Sequence, residues 1–91
     1  MSEERLKEIK KMVKEKGLKI YCSDFTKSEI EYIISETVLS KEDEYFARMK
    51  YIEALSNSEI ADKLGLSIDA VKYHRRKVSL LLRQTCCRIF L

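Results

Sequence analysis

Ninety-one residues with 45% hydrophobic and 36% charged side chains, two Gly and no Pro bound one helical domain with a single modest core. They exclude two independent domains, a disordered chain, and an all-β fold, which needs more turn formers. The net charge of +3 is small but uneven: residues 27–55 hold 4 Lys/Arg against 7 Asp/Glu, and residues 56–91 hold 7 against 3.

Leu6, Ile9 and Val13, with Met12 beside them, recur at helical spacing, and Gly17 supplies a stop, so a first helix is predicted over 3–16. Its outer face carries Lys7, Lys10, Lys11 and Lys14; without Trp or Phe to anchor it in lipid, this is a solvated face of an amphipathic helix. Residues 18–24, "LKIYCSD", are β-prone but lack a partner strand and read as a packed linker. "TKSE" at 26–29 is a capping box that opens a second helix to about 38, burying Ile30, Ile33, Ile34 and Val38.

"SKED" at 40–43 starts a third helix, with acidic residues where the positive helix end favours them. It is expected to run to about 54, burying Phe46, Met49, Ile52 and Leu55, with Tyr45 and Tyr51 as rims of the stripe. In "SNSE", Ser56 caps a short fourth helix with Glu59 at its third position, and Gly65 ends it about two turns later. Leu66 plugs the corner. Ser67 then caps a fifth helix, over about 68–83, whose inner stripe is Val71, Val78 and Leu82.

The sum is an all-α single domain, 1–91, of about five helices. A tri-helical helix-turn-helix core, winged-helix-like without a clear wing, occupies 39–83; two helices in 1–38 precede it and an apolar tail, 84–91, follows. The corner is made by Ala61, small where the helices approach, by Gly65, and by Val71 packing back from the second helix.

"LSNSEIADKLGLSIDAVKYHRRKV", residues 55–78, resembles the helix-turn-helix of LuxR-type output domains and of the fourth region of bacterial sigma factors. With the helix before it the resemblance covers about residues 39–83; it rests on Ser56, Glu59, Ile60, Ala61, Leu64, Gly65, Ser67, Val71, Lys72 and His74. One position departs from it: both families usually place an aliphatic residue where Arg75 stands, so either Arg75 snorkels outward or His74 takes the inner face. Residues 1–38 resemble no family in this way.

The resemblance implies a sequence-specific DNA-binding transcriptional regulator of bacterial or phage type, with the fifth helix in the major groove of double-stranded DNA. Lys72, Tyr73, Arg76 and Asp69 are the expected base contacts. A guanidinium at Arg76 can bond guanine O6 and N7 together. Ser56, Asn57, Ser58, Lys63, Ser67, His74 and Lys77 are the expected backbone contacts. About three neutralised phosphates give a salt slope of roughly −2.7. So shallow a slope calls for help from a second copy or from RNA polymerase. "SLLLRQTCCRIFL" is the candidate site of such help: it either packs on the first helix within the monomer or forms a homodimer interface. The alternative function is a sigma-like adaptor that docks on RNA polymerase or another regulator without reading DNA.

No enzyme is expected: there is no Gly-rich phosphate loop or nucleophile motif, and His74 is the only histidine. Cys86 and Cys87 are adjacent and Cys22 is remote, so neither a metal site nor any cofactor is expected. An odd cysteine number and no apolar leader point to the cytoplasm, and no run approaches the ~18 apolar residues of a membrane span.

Overall fold

In the computed structural model, which describes residues 2–91, the elements are all helical. They are α1 (Glu3–Lys16), two 3-10 turns (Gly17–Lys19 and Cys22–Asp24), α2 (Lys27–Ser35), α3 (Lys41–Ala47), a π-helical turn (Arg48–Ile52), α4 (Asn57–Leu64) and α5 (Ile68–Phe90). Each α-helix starts at a Ser or Thr whose hydroxyl accepts from the third residue of the helix. The five pairs are Ser2 with Arg5, Thr26 with Glu29, Ser40 with Asp43, Ser56 with Glu59, and Ser67 with Ala70. At Thr26 and Ser56 the Glu carboxylate returns the bond to the cap N–H, so both capping boxes close.

The long α5 is the spine, and α1, α2, α3 and α4 all pack on it. Ile9 and Val13 of α1, Ile30 and Ile33 of α2, Phe46 of α3, Ile60 of α4, and Val71, Val78 and Leu82 of α5 share one core. Ile20 anchors the linker in that core at 1% exposure. The linker therefore packs as expected, as 3-10 turns rather than a strand.

Three expected boundaries move. Helix α2 ends at Ser35, not 38, because Thr37 turns its hydroxyl to the Ile33 carbonyl (2.7 Å) and to Thr85 Oγ1 (2.7 Å). Arg88 Nη2 donates to the Glu36 carbonyl at 2.7 Å, closing the helix end from α5. Val38, expected inside, is consequently 95% exposed, and Leu39 packs on the core instead.

The third helix is α-helical only to Ala47. From Arg48 it widens into the π turn, with Glu53 N–H bonding the Arg48 carbonyl at 2.9 Å, and it stops at Ala54, whose φ is 57°. Phe46 and Met49 are buried as expected, while Ile52 and Leu55 are only half-buried.

Helix α5 does not stop near 83. Nothing between 83 and 90 breaks it, and Cys86 and Phe90 continue the buried stripe of Val78 and Leu82 against the N-terminal helices. Residues 84–90 are thus the last turns of α5 rather than a separate tail. Most of the apolar surface that suggested a homodimer is spent inside the monomer; Leu80 and Leu91 remain exposed.

Candidate nucleic-acid interface

Helices α4 and α5 meet through a three-residue turn. Gly65 adopts φ 65° and ψ 34°, the left-handed conformation that ends α4 without steric cost, and Leu66 N–H bonds the Ala61 carbonyl at 3.0 Å. Ala61 is 7% exposed and Val71 fully buried, so both face the corner as the sequence pattern requires.

Around α5 the first turns divide cleanly. Val71 and Val78 point inward with His74 half-buried between them, whereas Asp69, Lys72, Tyr73, Arg75 and Arg76 are exposed. The conflict at Arg75 resolves in favour of His74 on the inner side. Its Nδ1 bonds Asp43 Oδ1 at 2.9 Å, its Nε2 lies 3.4 Å from Glu42, and its ring sits 6.2 Å from that of Phe46. Tyr73 packs edge-on against the same imidazole at 5.7 Å.

Asp43 is the pivot of this arrangement. It is 2% exposed and also accepts from Lys77 Nζ at 2.9 Å. Burial acts to raise its pKa, but the hydrogen bonds from Lys77, His74 and Ser40 outweigh burial and hold the carboxyl below its usual range. In the sequence Asp43 stands only as the third residue of a helix start. Its partners lie 31 and 34 positions away, and no local signal links them.

The expected backbone contacts accordingly separate into three groups. His74 and Lys77 are engaged by Asp43, and Asn57 accepts from Lys50 Nζ at 3.1 Å, so none of the three projects freely. Ser56 and Ser67 act as caps, each hydroxyl oxygen accepting from backbone. Ser58 and Lys63 are exposed without a hydrogen-bond partner among the described residues. The expected base contacts, Asp69, Lys72, Tyr73 and Arg76, lie together on the open side of α5.

Charge pairing sharpens the division. Arg5, Lys16, Arg48 and Lys77 each pair with a carboxylate. Lys63, Lys72, Arg75 and Arg76 pair with none among the described residues. The C-terminal basic excess thus faces solvent as uncompensated charge, able to meet polyanions.

Elsewhere the chemistry is sparse. A shallow groove of about 750 Å³, lined by Arg5, Leu6, Tyr32, Ile89 and Phe90, lies at the α1–α2 end of the molecule, away from the corner. Cys22, Cys86 and Cys87 are free, and burial pushes the thiols of Cys22 and Cys86 up to about 11 and about 12. Among the described residues no group of His, Cys, Asp and Glu is arranged to hold a metal ion, and no helix is long and apolar enough to cross a membrane. The chain matches no family model, no curated protein and no solved structure.

Proposed function

We propose that the protein is a sequence-specific DNA-binding transcriptional regulator of the cytoplasm. The observation that carries this reading is the open stripe of α5. Lys72 and Arg76 stand exposed and unpaired beside Asp69 and Tyr73, on a helix whose opposite side is fixed by Val71, His74 and Val78. A recognition helix needs such a division, because base contacts discriminate only when the side chains start from a rigid element.

In this reading the first turns of α5 enter the major groove. Arg76 bonds guanine O6 and N7, and Lys72 reaches a neighbouring base or phosphate. Lys63 and the N-terminal serines of α4 hold the flanking backbone. With Arg76 on a base, the three cations Lys63, Lys72 and Arg75 contribute roughly −2.7 to the monomer salt slope. With Lys77 engaged by Asp43 and Arg75 free, the set of cations differs from that expected from sequence, while its size does not.

Selection of bound fragments from random DNA tests the proposal. A shared motif should emerge, and Arg76→Ala should cost about 1–3 kcal/mol of discrimination at one base pair. No enrichment at low salt, or selectivity indifferent to both Arg76→Ala and Lys72→Ala, would refute it. Ala61→Leu serves as the structural control: overpacking the corner should unfold the motif rather than change the preferred sequence. The adaptor alternative, docking on RNA polymerase, draws on the exposed Leu80 and Leu91 and predicts binding that survives both substitutions.

A further inference from the structure

We infer that the DNA-binding surface continues beyond the first turns of α5 onto a phosphate track made by Arg83 and by Lys19 of the turn after α1, an inference that rests on the DNA-binding reading above. Lys72, Arg76, Ser79 and Arg83 follow at i, i+4, i+7 and i+11, so they lie along one side of α5. Arg83 is held in place there. Its Nε and Nη2 donate to Ser79 Oγ at 3.1 and 2.8 Å, and its Nη1 donates to the Leu18 carbonyl at 3.0 Å.

Those acceptors are all neutral, and Arg83 pairs with no carboxylate among the described residues, so its charge is ordered but uncompensated. The acid of the adjoining 3-10 turn, Asp24, is occupied by Lys16 at 3.4 Å. The bond to Leu18 also brings the exposed Lys19 to the same end of the stripe, where its side chain makes no hydrogen bond or ion pair among the described residues.

Along the helix, Lys72 and Arg83 are separated by about 16 Å of rise. A recognition helix meets the base edges through its N-terminal residues, and a straight helix leaves the curving groove over the turns that follow. When the N-terminal turns of α5 are at the base edges, Arg83 lies about three turns further along, at the level of the phosphates that flank the groove. A guanidinium already oriented by Ser79 loses little freedom on meeting a phosphate oxygen. The segment 1–38 thereby gains a role in binding: it supplies Lys19 and the carbonyl that fixes Arg83.

The test is fluorescence anisotropy of the full chain on a duplex carrying a selected site and on a random duplex of equal length, between about 50 and 200 mM salt. Arg83→Gln and Lys19→Gln should each make the salt slope shallower by about 0.9, so that the salt rise costs each variant about 3.5-fold less affinity than it costs wild type. Both duplexes should weaken alike, leaving the selectivity ratio unchanged, while Arg76→Ala lowers that ratio. Wild-type binding with unaltered slopes in both variants would overturn the track alone. Failure of wild type to bind either duplex would overturn the DNA reading and the track with it. If Arg83→Gln unsettles the Leu18 turn, Lys19→Gln decides, because the Lys19 side chain holds no other described residue.

Discussion

Asp43 is the carboxylate whose removal should most disturb the corner. Its side chain is 3% exposed and accepts from His74 Nδ1 and Lys77 Nζ, each at 2.9 Å. Lys77 keeps 47% of its side chain in solvent and regains water when the carboxylate goes, so the loss falls on the His74 contact. A hydrogen bond to a charged group contributes about 1.5–3 kcal/mol. Asp43→Ala should therefore cost about 2–3 kcal/mol, out of roughly 5–14 for a domain of this length. At about 4–8 °C per kcal/mol, the melting temperature should fall by roughly 10–20 °C. Asp43→Asn keeps the volume and one acceptor, and should lose about half as much.

Chemical denaturation followed by circular dichroism measures these differences. A double-mutant cycle with His74→Ala should return a coupling of at least about 1 kcal/mol. The acid limb supplies a second readout. The folded-state pKa of Asp43 is depressed, so the stabilisation it brings is present above its unfolded pKa and is lost as pH falls through its folded value. Asp43→Asn should shrink that acid loss. An Asp43→Ala stability within about 0.5 kcal/mol of wild type, or no coupling to His74, would refute the account of the corner.

Ala54 holds a left-handed φ of 57°, so Ala54→Gly should raise stability by about 0.5–1 kcal/mol, read as a higher denaturation midpoint. Gly65→Ala should lower it by about 1 kcal/mol through backbone strain alone, since a Cβ there meets no atom within 4 Å. Hydrogen bonds from Arg5 Nε (2.8 Å) and Nη2 (2.9 Å) outweigh burial and lower the Glu29 pKa from 4.5 to about 2; its stabilisation should therefore be complete above pH 4.5 and fade toward 2. Because Arg5 remains 30% exposed, Glu29→Gln should cost about 1–2 kcal/mol at neutral pH, less than a fully buried pair, and flatten that acid transition.

Helix starts were the most legible feature of the chain. Ser/Thr caps act on residues three positions away, so "TKSE", "SKED" and "SNSE" announce α2, α3 and α4 in four letters each. Helix ends were less so. Gly17 and Gly65 mark theirs by backbone freedom, but α2 ends because Thr37 and Arg88 bond across to another element, and the π turn ends at an Ala in a conformation usually left to Gly. The continuous α5 was half visible: its apolar spacing runs through Phe90, yet the density of Leu in the tail left packing on the first helix and a shared surface both open.

The site divides on the same line between local and distant causes. Amphipathic spacing sufficed to put Lys72, Tyr73 and Arg76 outside and Val71 and Val78 inside. It did not suffice for His74, Arg75 and Lys77, because their positions depend on an acid in another helix. An aliphatic residue at 75 would supply the inner contact by burial alone. Here His74 supplies it, and a half-buried imidazole needs a polar partner, which Asp43 provides from α3. The same carboxylate then takes Lys77 out of the free basic surface and leaves Arg75 in it. Asp43, His74, Arg75 and Lys77 thus behave as one exchange of roles: a polar inner contact replaces an apolar one, and the cation engaged at 77 is matched by a free one at 75, on the opposite flank of the same helix. Counting charges along residues 56–91 gives the same total before and after that exchange, so only the folded chain distinguishes which cations remain for a polyanion.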